Sequence, residues 1–184
     1  MPSSNKEQRV IDWNAICPLI YDATETDISR LNPELVDAVQ KWTYRRTGLI
    51  ICGPTRTGKT RAAWMLLRRL YVDEARWIET FTSVSFAHEC SERFGSGDGA
   101  GEAWIRRLAK ADVVFFDDLG KFKMTERVEA ELFGLIEDRT SWGRPVIATM
   151  NLTGEQLQNI LSDNRGEPLV ARLREFCDIV TTTR

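Results

Sequence analysis

Leu49-Ile50-Ile51-Cys52-Gly53-Pro54-Thr55-Arg56-Thr57-Gly58-Lys59-Thr60-Arg61-Ala62-Ala63-Trp64-Met65-Leu66-Leu67 decides the reading of this chain. The first four residues are a continuous apolar run, as a buried strand has, and the last seven read as a helix. Between them, Gly53 to Thr60 match G-x-x-x-x-G-K-[ST]. The string alone is a weak signal, but a strand feeding it and a helix leaving it make it a phosphate-binding loop. Gly53 and Gly58 allow a tight wrap in which successive N–H groups point inward, and the new helix adds its positive end. Such a nest fits a polyphosphate. Lys59 reaches the β- and γ-phosphates as a point charge, and the Thr60 hydroxyl ligates the Mg²⁺ that bridges them. The expected nucleotide-binding set is Gly53, Pro54, Thr55, Arg56, Thr57, Gly58, Lys59, Thr60 and Arg61.

A second site lies downstream. Val113-Val114-Phe115-Phe116 is a continuous apolar run, the mark of a parallel-sheet strand buried on both faces, and it ends in Asp117-Asp118. Ligands of such sheets bind at the carboxyl ends of strands. Asp117 is therefore placed to hold the Mg²⁺ shell, and Asp118 to orient or deprotonate an attacking water. A pair of turn aspartates before Leu119-Gly120 is the plainer alternative. Val146-Ile147-Ala148-Thr149 reads as a further strand, and Asn151 just beyond it offers an amide that can accept from and donate to a catalytic water. A helix or turn cap before Gly154 is the competing role for Asn151.

The remaining elements follow from periodicity and caps. Asn32 and Pro33 open a helix with Leu35, Ala38, Val39 and Trp42 on one face. Arg76 to Thr80 reads as a strand, Ser83 to Phe94 as a helix, and Gly95 to Gly101 as a mobile loop, four glycines in seven residues being poor material for an element. Helices are expected over Glu102–Lys110, after the cap Thr125 to near Arg139, and over Glu167–Glu175, with a last strand over Asp178–Thr182. In the last helix Leu169, Leu173 and Phe176 face inward, Arg172 flanks them and Arg174 points away.

Length and composition bound the rest. At 184 residues the chain fits one domain: residues 1–12 a flexible end, 13–46 a strap and helix, and 47–184 the nucleotide-binding core. With 42% apolar and 28% charged residues, no run of membrane-spanning length and no signal-peptide pattern, the expectation is a soluble, cytoplasmic protein. Cys17, Cys52, Cys90 and Cys177 lack metal-ligand spacing, and His88 beside Cys90 is two ligands short of a zinc site. Net charge is −2, so contact with nucleic acid must rest on a local patch; Arg106, Arg107, Lys110, Lys121 and Lys123 are the candidates, with a solvated face the plainer reading.

Taken together, GPTRTGKT, VVFFDDLGK, PVIATMN and LVARL, in that order and spacing, resemble the AAA+ ATPases of the bacterial helicase-loader (DnaC-like) and IstB-like group. The resemblance covers Trp13 to the end of the chain. It implies an αβα sandwich with a five-stranded parallel sheet, β1 central, and no helical lid after the fifth strand. Carried over, Lys59 and Thr60 are Walker A, Asp117 and Asp118 Walker B, Asn151 sensor 1, and Arg172 an arginine finger given to a neighbouring subunit. ATP and ADP, Mg²⁺, further copies of the chain, DNA, and a replicative helicase or a transposase are the implied partners, and no membrane is. Three departures stand out, the first being that without a lid no sensor 2 residue can be named. The residues before Asn32 are too few for the amino-terminal domain of a helicase loader, and Arg56 stands where many such ATPases carry glycine, either solvated or as an extra cation near the γ-phosphate. The competing readings are a nucleotide-dependent interaction module with little turnover and a small-molecule kinase on the same loop.

Overall fold

A computed structural model of the chain describes residues 1–22, 30–121, 124–162 and 164–183. Five parallel strands, β1 (Gly48–Cys52), β2 (Ile78–Thr82), β3 (Val113–Asp117), β4 (Val146–Met150) and β5 (Cys177–Thr181), form one sheet in the order β2-β3-β4-β1-β5. The middle place belongs to β4, and β1 lies between β4 and β5, a correction to the expectation of a central β1.

The alternation of side chains sorts the strand residues into two cores. Leu49, Ile51, Phe115 and Ile147 pack beneath α1 (Lys6–Ile16), α2 (Pro33–Lys41) and α3 (Lys59–Arg68). Ile50, Val114, Phe116 and Ala148 pack beneath α4 (Ser83–Gly95), α5 (Ala100–Lys110), α6 (Glu126–Ser141), α7 (Gly154–Ile160) and α8 (Gly166–Phe176). Helices on both faces leave the carboxyl edge of the strands as the open end where a ligand can sit.

Several expectations need correction. Where a flexible end was expected there is α1, capped by Asn5, whose Trp13 is 1% exposed and packs edge-on against Trp64 at 5.6 Å. Buried Arg9 reinforces it by donating from Nε to the Val72 carbonyl at 2.8 Å. The strap expected from residue 13 up to the helix at Asn32 is thus helical to Ile16, with a short 3₁₀ turn at Leu19–Tyr21; residues 23–29 lie outside the described residues. The glycine-rich loop shrinks to Ser96–Gly99, because Gly101 belongs to α5. A Cβ there would lie 2.5 Å from the Phe94 ring, so the missing side chain is what lets α4 and α5 approach. Strand β2 runs two residues later than expected, bringing Phe81 into contact with Phe86, Trp104 and Phe116. Helix α7, capped by Thr153, has no counterpart in the sequence reading. Nor has the fully buried Arg139, which donates to the carbonyls of Leu108, Ala111, Asp112 and Pro145 and so ties the end of α5 to the starts of β3 and β4.

Candidate active site

The phosphate-binding loop adopts the backbone its glycines permit. Gly53 has φ 148°, where a Cβ would lie 2.3 Å from the Thr182 carbonyl oxygen, and Gly58 has φ 87° as the N-cap of α3. Arg56 also lies in the left-handed region, at φ 67°, which explains why glycine suits that position; its side chain is exposed. Lys59 is 5% exposed, and Nζ donates to the Pro54 carbonyl at 2.7 Å. Burial pulls the ammonium pKa down, against the opposing pull of Asp118 and Asp117.

Three strand ends meet beside this loop. Parallel pairing sets Phe116 against Ala148, so Asp117 at the end of β3 comes alongside Thr149 of β4. Asp117 Oδ1 accepts from Thr149 Oγ1 at 2.5 Å and from Thr60 Oγ1 at 2.9 Å, joining β3, β4 and the start of α3 at one carboxylate. Thr149 also accepts from the Asp118 backbone N–H at 2.9 Å. Asp118 has φ 54°, a turn that carries its carboxylate away from the strand line to Asn151, whose Nδ2 donates to Oδ1 at 3.2 Å. Lys121 Nζ donates to the other oxygen, Oδ2, at 2.6 Å, and Asp118 is the first cause of its raised pKa. Ser83, at the start of α4, donates to the Asp118 carbonyl at 2.8 Å.

A cleft of about 1280 Å³ opens over this group. Thr55 to Arg61 line it from the loop, Asp118, Lys121 and Asn151 from the strand ends, and Tyr21, Leu31, Asn32 and Pro33 from the segment before α2. That segment is tied down where Asn32 Nδ2 donates to Thr182 Oγ1 at 3.0 Å, and Arg61 donates to the Ile20 carbonyl at 3.1 Å. Gly53 and Pro54 instead line a neighbouring, mainly apolar cavity of about 640 Å³, together with Asn151 and Arg174.

The structure thus brings together Lys59, Thr60, Asp117, Asp118 and Asn151. Arg172 stands apart: it is absent from the cleft lining, pairs with Glu137 of α6 at 2.8 Å and lies 5.4 Å from the Phe176 ring. Arg174, expected to point away, lies against Gly154 at the start of α7. Thr149, Ser83 and Lys121's hold on Asp118 escaped the sequence reading. Only Thr149 left a trace there, as a hydroxyl in an otherwise apolar strand. Of the cations considered for DNA, Arg106 and Lys110 are exposed one turn apart on α5, Arg107 is paired with Glu79 at 2.6 Å, Lys121 is held by Asp118, and Lys123 lies outside the described residues.

Residues 22–184 match the IstB-like ATP binding protein family. The chain belongs to that family. It is 30% identical over 119 residues to an insertion-sequence (IS1162) protein of Pseudomonas fluorescens whose name carries ATP binding; the match covers 60% of this chain and 46% of the relative, so the chain aligns with under half of that protein. Among solved structures, the DnaC helicase loader superposes with a TM-score of 0.72 at 17% identity, over 89% of this chain and 99% of that one. Replication initiator DnaA bound to AMPPCP and single-stranded DNA superposes with a TM-score of 0.70 at 18% identity, over 89% of this chain and 50% of that one. These likenesses fix the fold as the AAA+ P-loop type that the four motifs implied. No helix among the described residues is long and apolar enough to cross a membrane.

Proposed function

We propose that this IstB-like chain hydrolyses ATP, assembles with further copies of itself on DNA, and serves a transposase or a replicative helicase as an ATP-driven helper. The observation that carries the proposal is the junction of Thr60, Asp117 and Thr149, with Asp118 and Asn151 beside it, at the mouth of a phosphate-binding loop. A structural turn has no need of two carboxylates and an amide converging where the terminal phosphate of a nucleotide would lie.

The donor set suits Mg²⁺, a hard cation that takes one or two protein oxygens and fills its shell with water and phosphate. Thr60 Oγ1 would supply one such oxygen, and Asp117, whose Oδ1 lies 2.9 Å from it, would hold the shell through water. When bound, Mg²⁺ neutralises charge on the β- and γ-phosphates. Lys59 exchanges its bond with the Pro54 carbonyl for phosphate oxygens. Asn151 orients a water, Asp118 takes a proton from it as its oxygen attacks the γ-phosphorus, and the bond to the ADP oxygen breaks. The family resemblance is what assigns Arg172 to a neighbouring subunit's site; to act there it would leave Glu137, with which it pairs in its own chain.

Steady-state phosphate release, with and without single-stranded DNA and across protein concentrations, tests this reading. Activity per protomer should rise with concentration. Arg172→Ala and Lys59→Ala should each be inactive alone and partly active when mixed, because one supplies an intact loop and the other an intact finger to a shared site. An arginine supplied in trans contributes a factor of roughly 10³–10⁵ in some nucleotidases. If mixed oligomers form and stay inactive, Arg172 has a packing role instead.

A further inference from the structure

Both oxygens of the Asp118 carboxylate are engaged inside the chain. Oδ1 accepts from Asn151, in keeping with a site residue oriented by its neighbour, whereas Oδ2 accepts from the Lys121 ammonium at 2.6 Å. Lys121 lies three positions after Asp118, and its backbone N–H also donates to the Asp118 carbonyl at 3.1 Å, so the turn itself delivers the ammonium to the carboxylate. Ser83 and Thr149 fix the Asp118 backbone from two sides. With its backbone fixed in this way and Oδ1 held by Asn151, Asp118 is the more constrained partner, and Lys121 is the one that leaves more readily. Its side chain is 61% exposed, against 26% for Asp118, and it lines the nucleotide cleft.

We propose that Lys121 is a positioning residue that restrains Asp118: in the resting site its ammonium occupies the carboxylate oxygen that a water proton must reach, and a phosphate group that takes the ammonium frees that oxygen. The inference rests on the reading of Asp118 as the acceptor of that proton. With Asn151 on Oδ1, the Lys121 ammonium competes with water for Oδ2 through a charge-assisted bond, so its departure opens that oxygen to the water. Phosphate is the chemistry fitted to compete, being an anion whose oxygens accept from ammonium as a carboxylate does. Two sources can bring it to Lys121: the γ-phosphate of the bound nucleotide, from inside the cleft, and the backbone of a nucleic acid, from solvent. Lys121 thus serves as the switch on Asp118 and not as one more cation on a DNA-binding face.

The test compares wild type with Lys121→Ala, Lys121→Arg, Asp118→Asn and the double variant Lys121→Ala/Asp118→Asn. Phosphate release is measured at saturating Mg-ATP with and without single-stranded oligothymidylate, and ATP and ADP affinities by calorimetry. A solvent-exposed pair of this kind contributes about 0.2–1 kcal/mol, so its loss should raise the basal kcat of Lys121→Ala by roughly 1.5- to 5-fold. Lys121→Arg, which keeps the cation, should stay near wild type, and both Asp118→Asn variants should stay slow. A purely structural lysine would lower stability without raising kcat. Lys121→Ala that binds both ATP and ADP as wild type does but turns over at or below the wild-type rate, with and without oligothymidylate, overturns the restraint. Wild-type turnover in Asp118→Asn overturns the assignment of Asp118 itself, and it is read on a variant that leaves Lys121 in place. If ATP affinity falls in Lys121→Ala while ADP affinity holds, the releasing phosphate is the nucleotide's own. If both affinities hold and oligothymidylate stimulates wild type but no longer stimulates Lys121→Ala, it is the backbone of a nucleic acid.

Discussion

Replacing Thr149 with valine removes one hydroxyl and keeps the shape of the side chain, which makes it a clean probe of the junction at Asp117. Thr149 is fully buried in the middle strand of the sheet, so no solvent can substitute for the lost group. Two bonds go with it: the 2.5 Å donation to the Asp117 carboxylate and the 2.9 Å acceptance from the Asp118 N–H. A hydrogen bond to a charged group is worth about 1.5–3 kcal/mol, and a buried N–H left unpaired costs about 1–3 kcal/mol. The added valine methyl returns about 0.8 kcal/mol, leaving an expected loss of about 2–5 kcal/mol. Urea unfolding should show a lower midpoint with an unchanged slope, since the surface exposed on unfolding stays the same. Because Asp117 also holds Thr60, the variant should weaken Mg-ATP binding by about 10–100-fold, the usual effect of losing an outer partner of a metal-binding carboxylate. Thr149→Ser, which keeps the oxygen, should recover most of both losses. Stability within about 0.5 kcal/mol of wild type together with unchanged Mg-ATP affinity in Thr149→Val would refute the reasoning.

Lys59→Ala should abolish or strongly weaken ATP binding in calorimetry, because it removes the buried cation aimed at the β- and γ-phosphates; unchanged affinity would remove Lys59 from the site. Asp118→Asn should keep ATP affinity and slow phosphate release, since an amide cannot take a proton from water; wild-type turnover would move that role elsewhere. Arg139→Met should cost at least about 3 kcal/mol in urea unfolding, because four carbonyls lose their donor inside the core; a change below about 0.5 kcal/mol would mean that water or a neighbour replaces it.

What the sequence made legible is what is contiguous. The loop from Gly53 to Thr60, its flanking strand and helix, and the Asp117-Asp118 pair at a strand end all announce themselves within a few residues. Asn32 and Thr125 cap their helices as their side chains suggested. The misses share a different cause. Helix α1 has only Val10, Ile11, Trp13, Ala15 and Ile16 as apolar material, and its stability comes from Trp64, Tyr71 and the Val72 carbonyl, contacts more than fifty residues away in sequence. Gly101 reads as loop-forming until the Phe94 ring fills the space of its missing Cβ. Arg172 and Arg174, two residues apart, could be assigned opposite directions from helical periodicity. Where they come to rest, Arg172 on Glu137 and Arg174 beside Gly154, depends on where α6 and α7 lie against α8.

Thr149 joins these two cases. Its place at the end of an apolar strand is local information, but its importance comes from the order β3-β4-β1, which sets the end of β4 between the carboxylates of β3 and the phosphate-binding loop after β1. Another strand order would leave Thr149 as a buried hydroxyl needing some other partner, and Asp117 as a strand-end carboxylate without its link to α3. The hydrogen bonds that stabilise the carboxyl edge of the sheet are the same ones that aim Asp117 and Asp118. Small displacements of β3 against β4 within the same register should therefore reach the chemistry before they unfold the chain, because a shift too small to open either core is enough to part Thr149 Oγ1 from Asp117 Oδ1.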